Sequence, residues 1–134
     1  METLEHTAAL FKLLAHPSRL AILQLLREGE ECVCHMEAAL GLRQAYISQQ
    51  LMVLRQAGLV ADRREGWNVY YRVTRPEIYA LLDAAFVVAE PDGAQARMPR
   101  VQPRPAACPC PKCQGKFSAE DANPAGWGVA LGLR

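Results

Sequence analysis

The sequence predicts a mainly α-helical domain with one β-hairpin over residues 1–89, followed by a tail over residues 90–134. Apolar residues recur at helical spacing before position 58 and again after position 76. Between these regions lie two short β-compatible stretches joined by a glycine-containing turn. From residue 91 onward, seven prolines and five glycines occupy 44 positions, so the tail is expected to be largely disordered without a ligand.

Five helices are predicted, each from an apolar stripe bounded by proline or glycine. They are expected over residues 4–14, 18–28, 34–40 and 44–57 and in a fifth segment that opens at Pro76.

The third and fourth helices are joined by a tight turn that contains Gly41, which makes them a helix-turn-helix candidate. Residues 59–64 and 69–74 are the predicted strands of the hairpin, and Gly66 supplies the flexible turn position between them. The first and fifth helices carry more apolar surface than one such domain can cover. We therefore expect a two-fold dimer that buries them.

Basic residues concentrate in the middle of the chain. The net charge is only +1, yet residues 43–75 carry six arginines against Asp62 and Glu65. Such a block can contact a polyanion without making the whole protein adhesive. A solvated charged face has the same composition, so charge alone leaves both interpretations open.

No apolar run approaches the roughly 18 residues that a membrane span needs. The N-terminus lacks the basic start and cleavage site of a signal peptide, so a cytoplasmic protein without a membrane partner is expected. In a reducing compartment, closely spaced cysteines indicate metal or redox chemistry more often than structural disulfides. The chain has five: Cys32, Cys34, Cys108, Cys110 and Cys113.

Within about residues 8–88, four segments follow one another that read LLAHPSRLAILQLL, ECVCHMEAALGL, QAYISQQLMVLRQAGLV and REGWNVYYRV. In this order and spacing they resemble the ArsR/SmtB family of metal-responsive winged-helix transcriptional repressors. The resemblance implies a winged helix-turn-helix homodimer that binds operator DNA. The sequence departs from the family at His35, where the metal box has Asp, and at Glu37, where an arsenic-type version has a third cysteine. The fifth helix has no histidine and only two carboxylates, Glu77 and Asp83, so the His/Asp zinc site that some members carry there is expected to be absent.

The fourth helix is expected to enter the major groove of double-stranded DNA. Base contacts are predicted from its exposed polar residues, which are Gln44, Tyr46, Ser48, Gln49 and Gln50. Phosphate and minor-groove contacts are predicted from flanking and hairpin arginines, which are Arg43, Arg55, Arg63, Arg64 and Arg72. An ordinary glutamine-rich surface helix is the alternative interpretation.

Cys32 and Cys34 fall at the start of the third helix. Positions i and i+2 of an ideal helix point about 200° apart, so the two sulfurs converge only where the chain is extended or unwound. An ion bound there would distort the helix-turn-helix. Two small buried apolar side chains are the alternative.

Two thiolates are too few for a soft ion, which takes three sulfurs or four ligands. The remaining donors are expected from Cys108, Cys110 and Cys113. Arsenite or antimonite is the favoured inducer, with cadmium, lead or zinc as alternatives. A redox or persulfide trigger and a purely structural zinc clip also stay open. A thiol oxidoreductase is disfavoured because its C-x-x-C motif lacks a βαβ context, and no other catalytic motif indicates an enzyme.

Overall fold

The computed structural model describes residues 1–90, so the predicted tail and its three cysteines lie outside the described residues. A short 3₁₀ turn, Leu26–Glu28, continues the second helix. The helices are α1 (Glu2–Leu14), α2 (Pro17–Leu25), α3 (Val33–Leu40), α4 (Gln44–Gln56) and α5 (Ile78–Ala89), and the strands are β1 (Glu31–Cys32), β2 (Val60–Glu65) and β3 (Asn68–Val73).

The five helices and the hairpin are confirmed, with bounds that differ by a few residues from the prediction. The sequence analysis missed β1, whose two residues are too short to show any periodicity. Strand β1 pairs antiparallel with β3, with Glu31 opposite Tyr71 and Cys32 opposite Tyr70. The sheet order is therefore β1-β3-β2, and the hairpin is attached to the segment that precedes α3.

Local chemistry sets the ends of the elements around the helix-turn-helix. Pro17 occupies the first turn of α2, where its missing N–H costs no hydrogen bond. Helix α3 ends at Gly41, whose φ of 66° is left-handed and favours glycine. Gly66 has a φ of 58° in the turn between β2 and β3, which suits the tight hairpin.

The core lies where α2, α3 and α4 meet the inner face of the sheet. Ile47, Leu51 and Leu54 of α4 are completely buried there, as the sequence predicts. They pack with Ile22 and Met36 from the two preceding helices. This burial fixes which face of α4 points into the protein and which face points outward.

Helices α1 and α5 line an apolar groove. Phe11 is 50% exposed and Val88 is 82% exposed. Within residues 1–90 no single helix has the length and apolar character of a membrane span. Only α1 taken together with Pro17–Glu28, across an 86° bend, meets that test by length and composition.

Candidate DNA interface and cysteine site

The outward face of α4 carries most of the polar residues predicted to contact bases. Gln44, Tyr46 and Gln49 are exposed, and Ser48 is half-buried. The hydroxyl of Tyr46 lies 3.0 Å from Oγ of Ser18 at the start of α2, so α2 helps to fix this end of α4. The sequence analysis had assigned no role to Ser18.

Gln50 is a correction to the predicted set of exposed residues. Its side chain is buried, and Oε1 accepts a hydrogen bond from Nε of Arg19 at 2.8 Å. Arg19 also donates to the carbonyl of Leu13 at 2.8 Å. Position 50 lies three residues after Ile47 and four before Leu54, so the helical spacing of the buried stripe already places Gln50 at its edge.

The arginines predicted to meet phosphates fall into two groups. Arg43, directly before α4, and Arg64 of β2 are exposed. Arg55 is also exposed, with its guanidinium 3.4 Å from the carboxylate of Asp62. Arg72 is half-buried on β3, and burial lowers its pKa although nearby Glu30 acts in the opposite direction.

Arg63 belongs to the inner face of the hairpin, and its side chain is only 10% exposed. It donates to Glu30 at 2.5 Å and to Glu65 at 2.6 Å, and its guanidinium lies 4.7 Å from the centre of the Tyr70 ring. Burial acts to lower the pKa of Arg63, but the hydrogen bonds to the two carboxylates act more strongly, so the pKa is raised. This placement does not offer the guanidinium to a phosphate, in contrast to the expectation from sequence.

Strand alternation explains the difference between Arg63 and Arg64. Successive side chains of a strand point to opposite faces of the sheet, so two adjacent arginines cannot both face outward. The structure also shows Trp67 fully exposed in the hairpin turn. The sequence analysis had included this residue only within the segment REGWNVYYRV.

The sulfurs of Cys32 and Cys34 converge. Cys32 is the residue before α3, with extended backbone angles of φ −85° and ψ 159°, and Cys34 lies in the first helical turn. Their Sγ atoms are 2.7 Å apart. The backbone N–H of His35 donates to Sγ of Cys32 at 3.3 Å. The chain therefore changes from extended to helical between the two cysteines, which is the condition for convergence set by the sequence analysis.

The surroundings of the cysteine pair are buried and polar. Cys32 is 2% exposed, while Cys34 is half-buried and forms the more accessible side of the pair. Nε2 of the fully buried His35 lies 3.6 Å from the carboxylate of Glu31. Sγ of Cys32 therefore already accepts one hydrogen bond at the first turn of α3.

The pair fits a soft ion in donor type and nearly in spacing. Thiolates are the ligands that thiophilic ions prefer. Two thiolates that share a tetrahedral ion with bonds of about 2.3 Å lie about 3.8 Å apart, so a separation of 2.7 Å needs an adjustment of about 1 Å. Among the described residues, no group of three or more His, Cys, Asp and Glu side chains is arranged to hold a metal.

The fold defines a DNA-binding regulator of the winged helix-turn-helix class, in which β2 and β3 form the wing. The sequence profile described as "Bacterial regulatory protein, arsR family" matches residues 16–62. The biofilm growth-associated repressor of Agrobacterium fabrum is 43% identical over 81 residues, which are 60% of this chain and 69% of that protein. The chain belongs to the ArsR family of bacterial transcriptional regulators, and it is not an enzyme.

Other relatives agree with this assignment. The arsenical resistance operon repressor of Escherichia coli K12 is 48% identical over 66 residues, covering 48% of this chain and 56% of that one. The crystal structure of Rv0081 from Mycobacterium tuberculosis has a TM-score of 0.62 and 39% identity, over 70% of this chain and 95% of that one. The homodimeric winged helix-turn-helix domain of Mb0332 from Mycobacterium bovis has a TM-score of 0.58 and 35% identity, over 66% and 86%.

Proposed function

We propose that this chain represses transcription as a homodimer on operator DNA, and that thiophilic ions release it by binding to Cys32 and Cys34. The observation that carries the proposal is the 2.7 Å separation of the two sulfurs at the first turn of α3. Helix α3 is the first helix of the helix-turn-helix, so the two thiols lie next to the helix that reads DNA.

The DNA contacts of the proposal come from the outward face of α4. Gln44 and Gln49 have amide side chains that can pair with adenine in two-point fashion. Arg43 and Arg64 flank this face and are exposed, so they can contact phosphates. Tyr46, the third exposed residue of this face, is held by the contact of its hydroxyl with Ser18.

The dimer of the proposal forms through α1 and α5. The groove between them is lined almost entirely by apolar side chains, including Phe11 and Phe86. A second copy that covers this groove would bury the same surface on both subunits. Two recognition helices related by a two-fold axis would read a pseudo-palindromic operator.

The switch follows from the two roles of the Cys32 sulfur. It accepts the hydrogen bond of the His35 N–H and so caps α3, and it would also be a ligand of the ion. A sulfur that moves toward an ion weakens this cap. The first turn of α3 then loosens, and α3 packs directly against α4. The position of the recognition helix changes as a consequence.

The tail cysteines complete the shell in this proposal. Trivalent arsenic and antimony take three sulfurs, and tetrahedral cadmium or zinc takes four ligands. The described residues supply two sulfurs, and the other thiols of the chain are Cys108, Cys110 and Cys113. Arsenite or antimonite is the favoured inducer, with cadmium, lead and zinc as the other candidates.

The test measures operator affinity of the reduced protein with each of these ions in turn. Cys32→Ser and Cys34→Ser should bind operator normally and lose the response, because repression needs no ion. Deleting residues 105–134 should weaken ion binding but leave a smaller response. A Cys32→Ser protein that still releases DNA when the ion is added would place the sensor outside the cysteine pair.

A second candidate uses the same sulfurs as a redox trigger. Thiols 2.7 Å apart are close enough to be joined by a hydroperoxide, which takes two electrons and two protons from the pair and leaves as alcohol and water. Under strict exclusion of oxidants this trigger predicts no response to arsenite. Full release by arsenite in those conditions would decide in favour of the ion.

A further inference from the structure

Strand β1 ties the cysteine pair to the wing. Cys32 lies opposite Tyr70 in the β1–β3 ladder, and Glu31 lies opposite Tyr71. The residue that caps α3 is therefore also a strand partner of the wing. A movement of the Cys32 backbone therefore displaces both the start of α3 and the paired strand β3.

A buried ion pair reinforces this joint. Glu30 directly precedes β1, its side chain is only 3% exposed, and both of its oxygens accept hydrogen bonds from Arg63 of β2, at 2.5 and 3.4 Å. The Arg63 guanidinium in turn lies over the ring of Tyr70, which is completely buried. Such two-point, charge-assisted contacts hold one geometry tightly.

The contacts close a ring. It runs from Cys32 across the ladder to Tyr70, through the aromatic face to Arg63, through the ion pair to Glu30, and back along the chain. A buried ion pair is poor evidence for stability, since apolar residues of similar volume are often equally good. Its location between the cysteine segment and the wing indicates a role in positioning instead.

We propose that Glu30 and Arg63 are positioning residues that couple the cysteine pair to the wing, so that the wing is a second output of the switch beside α4. The inference rests on the proposed function. Separating Glu30 from Arg63 would break both of their hydrogen bonds at a buried site, which is costly. A shift of β1 therefore carries β2 with it, and the wing leaves its DNA-binding position.

The experiment uses the full-length chain with Cys108→Ser, Cys110→Ser, Cys113→Ser and Trp127→Phe. This reference protein keeps two thiols, at Cys32 and Cys34, and one tryptophan, Trp67 in the wing. The probe is phenylarsine oxide, which condenses with two thiols to a dithioarsenical and one water, with no change of oxidation state. Mass spectrometry confirms the adduct. Glu30→Gln/Arg63→Gln is the test variant, because it removes both charges of the pair together and keeps side chains of similar size.

In the reference protein the arsenical should lower operator affinity by roughly 5- to 150-fold, the usual range of allosteric coupling. It should also change the fluorescence anisotropy of Trp67 in the absence of DNA. The double variant should take up the arsenical equally well and lose the Trp67 response. Its release ratio should be smaller than that of the reference by about 3-fold or more, because only the release that passes through α4 remains. The release ratio is the operator affinity without the arsenical divided by the affinity with it, so a change in basal affinity cancels. Arg75→Gln/Glu77→Gln removes an ion pair outside the ring, is the matched control and should keep the full ratio.

Two results would overturn the inference. One is a folded double variant whose release ratio and Trp67 response equal those of the reference. The other is a reference protein whose Trp67 anisotropy does not change when the arsenical binds. Failure of the proposed function has a different signature, in which Trp67 responds in the reference but not in the double variant while operator affinity stays constant in both. Circular dichroism confirms the fold of each variant.

Discussion

Nε of Arg19 donates a hydrogen bond to Oε1 of Gln50 at 2.8 Å and joins α2 to the inner edge of α4. The neighbouring contact between Ser18 and Tyr46 joins the same two helices nearer to the start of α4. Two consecutive residues of α2, Ser18 and Arg19, therefore contact α4 and fix its position. Gln49 and Gln50, adjacent in sequence, have different environments: Gln49 is exposed and Gln50 is buried.

Gln50→Ala is expected to lower the free energy of unfolding by about 1.5–3 kcal/mol, the usual value of a hydrogen bond to a charged group. Gln49→Ala should change stability by less than about 0.5 kcal/mol, because Gln49 is exposed. It should instead weaken operator binding by about 1–3 kcal/mol. Urea unfolding and gel shifts on both variants check this. Full stability of Gln50→Ala with lost operator affinity would make Gln50 a base contact after all.

Arg64→Ala should weaken binding to all DNA sequences about equally. Removal of one phosphate contact should make the slope of log affinity against log salt shallower by about 0.9. Lys12→Ala on α1 removes the same charge from an exposed position away from α4 and the wing, and should leave the slope unchanged. Affinity measured across a salt series with operator and random DNA tests both variants. A loss restricted to the operator would show that Arg64 reads bases.

Phe11→Glu is expected to shift the protein from dimer to monomer. Phe11 is half-exposed in the apolar groove of α1 and α5, so a carboxylate there would be buried without a partner in the proposed dimer. Ala38→Glu on the exposed side of α3 adds the same charge and should stay dimeric. Sedimentation velocity measures both. A dimeric Phe11→Glu protein would place the interface elsewhere.

Stability should fall as the pH rises above about 10, the ordinary pKa of tyrosine. Burial raises the pKa of Tyr79, although Arg27 acts against it, and the Tyr79 hydroxyl donates to the carbonyl of Leu23 at 2.5 Å. The unfolded chain then loses its proton before the folded one, so alkali favours unfolding.

Tyr79→Phe should make this alkaline loss smaller and cost about 1 kcal/mol at neutral pH through the missing hydrogen bond. Some alkaline loss should remain, because burial also raises the pKa of Tyr71. Thermal unfolding of both proteins from pH 7 to 11 provides the comparison. An equally steep loss in Tyr79→Phe would assign the effect to other groups.

The elements that sequence predicts well are those with long local patterns. Five helices and the hairpin follow from apolar spacing and from glycine and proline positions, and the buried residues Ile47, Leu51 and Leu54 follow from the same spacing. Strand β1 has two residues and exists through its pairing with β3. A strand of two residues shows no periodicity, so no local pattern in the sequence predicts it.

The candidate site divides in the same way. Cys32 and Cys34 can be recognised as a pair in the sequence, and helix geometry predicts that their sulfurs converge only where the chain is extended or unwound. The contact between Glu30 and Arg63 joins residues 33 positions apart, and sequence spacing contains no information about it. Gln50 and Arg63 were assigned to the exterior because polarity was given more weight than position on the helix or strand.

The place of Cys32 at the junction of strand and helix has a consequence for the speed of the response. Under the proposed function, the ligand atom and the helix cap are one sulfur, so no relay separates capture from conformational change. Rearrangement of a helix end takes on the order of a microsecond or less. The change at the start of α3 would then be timed by the arrival of the ion and its thiol exchange, and release would follow at the rate at which the dimer leaves DNA. A cell could therefore tune the start of its response through uptake and thiol chemistry.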